Sequence, residues 1–527
     1  MEAIEHLLHS AGDFLNSIGA EFDPERCADL FLYQPDSPML FTTGQFFFLF
    51  IAFYAVFTTL RSNMRARIIY VTLFSLYFYY KTGGLWFMLL IFTATSDYLV
   101  GRCIASCAGS GARRRWLVAL SMCVNLGMLS AFKYASLMYN MFLTLLQSAG
   151  KLFHVAAWEQ TVCEPFDVFL PVGISFFTFQ SMSYIIDIYR GRVAPLKRWV
   201  DYLFYISFFP GLVAGPIVRA CDFIPQMYGK PALSREQMGE GLYLVICGML
   251  KKCVISDYIS VNFVDRIFDA PALYTGVENL LGVYGYALQI YCDFSGYSDM
   301  AIGIALWLGI RFRINFDSPY RSATVTEFWR RWHISLSTWL KDYLYVSLGG
   351  NRKGLFRTYV NLFLTMLLGG LWHGASWRFM AWGAFHGIAL AAHKWVMAHF
   401  GSFRKTGKEM TPLRRVAGII LTFHLVCFGW IFFRADSVSA GCEVLKRIFT
   451  AFHPEALRPF VEGYPVVTLL LALGYVIHFL PARTDGAVRR LVTRSPLLLQ
   501  ALYLVIAVFV AVQFRSAGIV PFIYFQF

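Results

Sequence analysis

Charged side chains are scarce in this sequence. Lys, Arg, Asp and Glu make up 15% of its 527 residues, whereas a soluble domain carries about a quarter. Hydrophobic residues contribute 57%, and the mean hydropathy is +0.53 over the whole chain, a value that one anchor segment cannot produce. A soluble globular protein is therefore excluded. We predict a polytopic membrane protein in contact with the lipid bilayer.

The signals of three other protein classes are missing as well. None of the eleven cysteines forms a CxxC pair or a Cys/His ligand spacing, so neither a metal site nor a disulfide framework is indicated. No internal repeat is visible, which argues against an inverted-repeat transporter. The net charge of +14 is explained by Lys and Arg in cytoplasmic loops, so nucleic acid is not expected as a partner.

The N-terminal region also lacks the basic segment that begins a signal peptide. Residues 1–40 contain eight acidic residues and one basic residue, Arg26. An acidic head before the first apolar run predicts an extracytoplasmic N-terminus. We divide the chain into an acidic extracytoplasmic segment, residues 1–40, and a single transmembrane domain, residues 41–527.

Apolar runs that approach the length needed to cross a bilayer, about 20 residues, recur along the chain, and basic clusters separate them. They predict an all-α fold of about eleven to thirteen helices, with a turn at 81–84. Pro210, Gly211, Gly215 and Pro216 interrupt the run 201–226. Because irregular backbone at membrane depth survives only where it lines protein or water, we predict re-entrant segments there.

Two histidines differ from the others in their surroundings. His373 lies between glycines and tryptophans where a helix breaks between two spans, so a neutral imidazole there suits a general base; the alternative is a cap on the broken helix. His333 lies within a basic, aromatic segment, Glu327–Trp339, which is predicted to be an amphipathic helix on the cytoplasmic face. That segment is either an interfacial anchor or the mouth for an anionic donor such as coenzyme A, with phosphates met by basic side chains. The candidates are Arg330, Arg331, Lys341, Arg352 and Lys353.

Three polar residues lie within an otherwise apolar helix: Asp293, Ser295 and Asp299. Carboxylates at membrane depth need partners or water. The nearby arginines would make them a structural ion-pair network, while the other interpretation gives them a direct role in a pore.

Six strings in one order resemble the membrane-bound O-acyltransferase (MBOAT) superfamily, in particular the bacterial branch typified by the alginate O-acetylation membrane protein. They are Leu170-Pro-Val-Gly-Ile-Ser-Phe-Phe-Thr-Phe-Gln180, Phe208-Phe-Pro-Gly-Leu-Val-Ala-Gly-Pro216, Tyr291–Asp299, Glu327–Ser335, Asp342–Arg352 and Gly370-Leu-Trp-His-Gly-Ala375. The resemblance implies a central pore or tunnel, with His333 and His373 essential and His373 catalytic. Asn361 falls near a polar partner found in other branches and is a further candidate for the pore.

The resemblance also implies a reaction. An acetyl group would pass from a cytoplasmic thioester, acetyl-CoA, towards hydroxyls of an extracytoplasmic polysaccharide, directly or through a periplasmic SGNH-type partner. No bound cofactor or metal is expected, and the location would be the bacterial inner membrane. Two alternatives stay open: a D-alanyl transferase for teichoic acid that uses a carrier-protein thioester, and a transporter or flippase that uses Asp293 and Asp299 as a relay.

Overall fold

The computed structural model describes residues 30–107, 111–155, 171–231, 233–400, 411–514 and 522–523. These residues form helices and no β-strand, which confirms the predicted all-α class. Most of the acidic N-terminal segment, residues 1–29, lies outside the described residues. The chain divides into two compact units: 1–121 with 171–213 and 227–231, and 122–170 with 214–226 and 232–527. The organisation of residues 41–527 as a single domain stays a prediction.

The helices of the first unit are α1 (Gly44–Leu60), α2 (Met64–Gly83), α3 (Phe87–Ser106), α4 (Gly111–Leu129, shared with the second unit), α5 (Ile174–Tyr189), α6 (Trp199–Ser207) and α7 (Phe209–Leu212). At the turn predicted at 81–84, α2 continues to Gly83 and the 3-10 segment Gly84–Trp86 leads into α3, so that Met64–Ser106 counts as one helical stretch of 43 residues. Gly173, from the first of the six strings, has φ +74, and a Cβ there would lie 2.7 Å from the Leu212 carbonyl oxygen. Only glycine meets both conditions without strain.

The second unit contains the larger set of helices. They are α8 (Ala135–Phe153), α9 (Ala220–Met227), α10 (Arg235–Met249), α11 (Asp257–Ile259), α12 (Asp265–Asp269), α13 (Gly276–Trp307), α14 (Val325–Arg331), α15 (Ile334–Trp339), α16 (Leu355–His373), α17 (Trp377–His399), α18 (Pro412–Arg434), α19 (Val438–Thr450), α20 (Leu457–Gly463), α21 (Pro465–Phe479), α22 (Ala482–Arg494) and α23 (Leu497–Gln513). Four π-helical segments interrupt the regular helices: Ser130–Tyr134, Leu250–Ser256, Ser260–Val264 and Leu340–Tyr345.

Fewer helices than predicted meet the length and hydropathy expected of a membrane span. Within the described ranges they are Met64–Ser106, Gly111–Phe153, Leu355–His373 and Pro412–Arg434, with the pair α20 and α21, bent by 103°, as a possible fifth. The other predicted spans fail this test because they are shorter, as α1 and α23 are with 17 residues, or more polar. The interrupted run 201–226 forms short helices, and its assignment as a re-entrant segment stays a prediction.

Helices α10 and α13 approach each other through glycines. A Cβ at Gly248 would lie 2.4 Å from the Gly296 carbonyl oxygen, and a Cβ at Gly303 would lie 2.6 Å from the Gly241 carbonyl oxygen. The two glycine pairs therefore bring the two backbones into direct contact, as small residues do between membrane helices.

Candidate functional site

His373 is the last residue of α16, and glycines allow this helix end to pack closely on α17. A Cβ at Gly370 would lie 2.3 Å from the Phe379 carbonyl oxygen, and a Cβ at Gly383 would lie 3.1 Å from the Gly370 Cα. Gly374 then leaves the helix in an extended conformation, and α17 begins three residues later. The predicted break between two helices at His373 is confirmed.

Aromatic rings enclose the His373 side chain, which is 4% exposed. Its ring centroid lies 5.0 Å from that of Trp372, 5.1 Å from that of Trp382 and 5.2 Å from that of Phe433. Trp377, the second tryptophan near His373 in sequence, is 59% exposed, and Trp382, five residues further along α17, contacts the imidazole instead. The site is therefore as water-poor as the sequence predicts, although a different tryptophan closes it.

A π-helical segment supplies two groups to the end of α16. The Lys133 ammonium group donates to the His373 carbonyl oxygen at 2.8 Å, and the Tyr134 hydroxyl donates to the Leu371 carbonyl oxygen at 2.8 Å. Carbonyls in the last turn of a helix have no partner within the helix and carry the negative end of its dipole. A cation and a hydroxyl at this point fix the backbone that carries the imidazole.

His333 has a backbone conformation that is rare for a residue with a side chain. Its φ is +44, and a non-glycine residue in this region costs about 1–3 kcal/mol. Asn315 holds the turn, because its carbonyl oxygen accepts the Ile334 N–H at 2.9 Å and its side-chain oxygen accepts the Ser335 N–H at 3.1 Å. Strain that the surrounding contacts maintain is common at functional sites.

The same asparagine orients the His333 imidazole. The Asn315 amide nitrogen donates to the Ser298 hydroxyl at 3.1 Å, so its Oδ1 is the acceptor for His333 Nδ1 at 3.2 Å. This pattern places the ring proton on Nδ1 and makes Nε2 the acceptor atom of the ring. Burial lowers the pKa of His333 to about 3, so the imidazole is neutral at physiological pH.

One indole lies between the two candidate histidines. The His333 ring lies 4.5 Å from Phe294 and 6.5 Å from Trp372, and Trp372 in turn lies 5.0 Å from His373. Residues 40 positions apart are thus brought into one buried aromatic cluster. The arrangement presents two neutral imidazoles in a site without bulk water, which suits proton transfer to and from a hydroxyl group.

The predicted cationic residues differ in how far they are already engaged. Arg331 pairs with Asp317 and Glu327, both at 3.1 Å. The Lys341 side chain is 64% exposed, and its ammonium group lies 3.6 Å from the Asp342 carboxylate. Arg331 is therefore mainly a structural residue here, whereas Lys341 presents its charge to solvent.

Arg330 and Arg352 are both exposed, so they stay available to an anionic ligand. The sequence analysis did not single out Arg219, whose guanidinium pairs with Asp342 at 2.6 Å and lies over the Tyr343 ring at 5.3 Å. The role of the cationic group in binding a donor stays a prediction.

Lysines, and not the expected arginines, neutralise the carboxylates of α13. Lys252 lies 2.6 Å from Asp293 and 2.7 Å from Asp257, and Lys251 lies 2.7 Å from Asp299. The Lys252 and Asp293 side chains are 4% and 3% exposed. The ion-pair network that the sequence analysis considered therefore exists, with partners from the π-helical segment Leu250–Ser256.

The C-terminal residues also reach this network. Asp293 Oδ2 accepts the backbone N–H of Ile523 at 2.9 Å, and the Phe522 ring lies 5.5 Å from Phe294. Ser295 is buried within the same helix. A pore role for Asp293, Ser295 and Asp299 stays a prediction.

Asn361 lies on the same helix as His373 but at a distance from it. Twelve residues of α16 separate them, which is roughly 18 Å at 1.5 Å per residue. The buried Asn361 amide donates to the Gly350 carbonyl oxygen at 2.9 Å. It therefore joins α16 to the glycine turn before it, and its assignment to a pore stays a prediction.

Several residues near the histidines escaped the sequence analysis: Lys133, Tyr134, Asn315, Trp382 and His386. Their partners lie up to 240 positions away in the chain, so no local pattern shows them. Within the part of the chain that the structure describes, no group of three or more His, Cys, Asp or Glu side chains is arranged to hold a metal ion.

Comparison with known proteins assigns the chain that carries this site to a family. The model of the membrane-bound O-acyltransferase family matches residues 196–431. A probable alginate O-acetylase AlgI of Pseudomonas putida is 36% identical over 516 residues, which cover 93% of this chain and 100% of that protein. A peptidoglycan O-acetyltransferase of Helicobacter pylori is 34% identical over 77% of this chain and 79% of its own length. A teichoic acid D-alanyltransferase of Bacillus subtilis is 29% identical over 54% and 73%, respectively.

The helical fold, the apolar spans and these relatives define a multi-pass membrane enzyme that transfers acyl groups to hydroxyls. The chain belongs to the MBOAT family, in the branch that contains the alginate O-acetylases. The predicted family and enzyme class are confirmed.

Proposed function

We propose that this protein transfers an acetyl group from cytosolic acetyl-CoA towards hydroxyls of an extracytoplasmic polysaccharide in the bacterial inner membrane. The observation that carries the proposal is the buried row His333, Trp372 and His373. The cationic residues Arg330 and Arg352 are exposed, and the sequence predicts that both lie on the cytoplasmic side. Acetyl transfer and a polysaccharide acceptor are supported by the names of the relatives that match most of this chain.

In the proposed reaction His373 acts as general base. Its imidazole takes the proton of the accepting hydroxyl while the hydroxyl oxygen attacks the thioester carbonyl carbon. The carbon–sulfur bond then breaks, and the thiolate recovers the proton from the imidazolium. The acceptor is the polysaccharide itself or the serine of a periplasmic SGNH-type partner that passes the group on.

The donor can be tested with protein reconstituted in sealed vesicles. We expect radiolabelled acetyl-CoA added on the cytoplasmic side to give acetyl esters on acceptor polysaccharide enclosed on the other side. A D-alanyl thioester on a carrier protein should give none, because the D-alanyltransferase relative matches only 54% of this chain. Esters from the carrier protein and none from acetyl-CoA would replace the proposal with D-alanyl transfer. Proton-driven flux without ester formation would favour a transporter.

Asn315 offers a second test, because it sets the orientation of His333. Asn315→Leu removes the side-chain acceptor of His333 Nδ1 and Ser335 while keeping a similar volume. We expect kcat to fall about tenfold through loss of this hydrogen bond, with Asn315→Asp retaining more activity because it keeps an acceptor oxygen. Initial rates of ester formation at saturating donor measure the effect. Equal rates for Asn315→Leu and wild type would show that the orientation of His333 does not contribute to catalysis.

A further inference from the structure

Three rings beside the His373 site form a compact cluster of their own. Trp329 on α14 lies 5.7 Å from Trp382 and 5.2 Å from His386, both on α17, and Trp382 lies 4.9 Å from His386. Trp382 and His386 are 2% and 1% exposed. Each ring is therefore in edge-on contact with the other two, within the second unit of the chain.

The cluster concentrates buried polar atoms that the protein leaves unsatisfied. Trp329 Nε1, Trp382 Nε1, His386 Nδ1 and His386 Nε2 are all buried, and none of them hydrogen-bonds to a described residue. More than nine in ten buried polar groups in proteins have a partner, because an unsatisfied one is costly. Four such nitrogens on three touching rings therefore point to a ligand that would satisfy them.

The chemistry of these nitrogens indicates what they would bind. An indole nitrogen only donates, and a neutral imidazole has one donor and one acceptor. The cluster therefore offers three N–H donors and one acceptor. Its complement is a small uncharged group with lone pairs, such as a carbonyl oxygen, and not a cation.

The position of the cluster connects it to the acyl-transfer site. Trp382 contacts His373 on one side, at 5.1 Å, and His386 on the other. Trp329 directly precedes the exposed Arg330, at the proposed donor entrance. Gly429 on α18 allows this helix to approach the His386 imidazole closely, since a Cβ at Gly429 would lie 2.8 Å from His386 Nε2.

We propose that Trp329, Trp382 and His386 bind the carbonyl oxygen of the acyl group while it is still attached to the thioester donor. This inference rests on the proposed function. As the accepting hydroxyl adds to the carbonyl carbon, the carbonyl π electrons move to this oxygen. N–H groups that donate to this oxygen would stabilise that charge in a site without water. When the carbon–sulfur bond breaks, the oxygen returns to a carbonyl.

Ring substitutions separate this role from packing. We expect His386→Phe and Trp382→Phe to lower kcat/KM for acetyl-CoA by about 10²-fold each, with unchanged or higher thermal midpoints because an unsatisfied buried nitrogen has been removed. His386→Gln, which keeps one donor and one acceptor, should recover activity to within about tenfold of wild type. The matched control is Trp395→Phe with His399→Phe, an exposed pair with the same spacing and a 4.8 Å ring contact on the same helix.

Infrared spectroscopy tests the contact directly, even if a variant folds poorly. The probe is the ketone analogue of acetyl-CoA in which methylene replaces sulfur, labelled with carbon-13 at the carbonyl. We expect the carbonyl band of the probe to shift to lower frequency on binding to the wild-type protein, and the shift to shrink in His386→Phe and Trp382→Phe.

The outcomes distinguish the two levels of the proposal. A wild-type protein that neither binds the probe nor uses acetyl-CoA overturns the proposed donor and this inference with it. A wild-type protein that transfers acetyl, but binds the probe with no downward shift or works equally well as His386→Phe, overturns only the carbonyl site.

Discussion

Replacing His373 by alanine is expected to lower kcat of acyl transfer by about 10³-fold, within the range for loss of a general base. The imidazole is buried between Trp372, Trp382 and Phe433, so water cannot easily take its place. The backbone at this position is held independently of the side chain, by Lys133 on the His373 carbonyl. The variant should therefore fold and insert normally. Acetyl ester content of the acceptor polysaccharide, per mole of membrane protein, measures the effect.

His424→Ala is the matched control for this experiment. His424 also lies within an apolar helix, α18, but its ring is exposed and hydrogen-bonds to Tyr284 and to the carbonyl of Ile420. Its loss should change the rate less than twofold, because it is remote from the aromatic cluster. Normal acylation by His373→Ala, at normal abundance in the membrane, would refute the assignment of His373 as general base.

Lys252→Met is expected to cause the largest loss of stability, about 3–5 kcal/mol of unfolding free energy. The substitution keeps the length of the side chain but leaves the carboxylates of Asp257 and Asp293 without their cation, 2.7 and 2.6 Å away. A buried charge that has lost its partner costs far more than the net value of the pair. Denaturant unfolding of the detergent-solubilised protein, followed by tryptophan fluorescence, measures the change.

Two further variants show whether the loss comes from uncompensated charge. Lys251→Met breaks the neighbouring pair with Asp299, whose side chains are 28% and 22% exposed, so it should destabilise the protein less. Adding Asp293→Asn and Asp257→Asn to Lys252→Met should recover much of the lost stability, because the neutral amides are cheaper to bury. A triple variant as unstable as the single one would show that Lys252 acts through packing instead.

Local patterns predicted those features that depend on neighbours in sequence. The all-α class follows from long apolar runs, and the break after His373 follows from the glycines around it, since α16 ends and α17 begins where the sequence indicates. The six strings were sufficient to predict the family. The number of spans beyond the four helices, or five with the bent pair, that meet the length and hydropathy test among the described residues stays a prediction.

The surroundings of the two histidines could not be predicted in this way. Asn315 lies 18 positions before His333, with α14 between them, and Lys133 reaches the end of α16 from 240 positions earlier in the chain. Trp382, and not Trp377, contacts the imidazole, because five residues rotate by about 140° round a helix axis and place the two indoles on different sides of α17. The sequence analysis expected arginine as the partner of Asp293, whereas the lysine that pairs with it lies 41 residues earlier, in the π-helical segment Leu250–Ser256.

The glycine contacts between α10 and α13 also determine the electrostatics nearby. Gly241 and Gly248 are seven residues apart, as are Gly296 and Gly303, so both contacts recur on the same stripe of each helix after two turns. Lys251 and Lys252 follow this stripe directly. An alanine at Gly248 would push α10 and α13 apart. The distances from Lys251 to Asp299 and from Lys252 to Asp293 would increase, and the C-terminal residues would lose their contact with Asp293. Helix spacing and charge neutralisation therefore depend on the absence of a single methyl group.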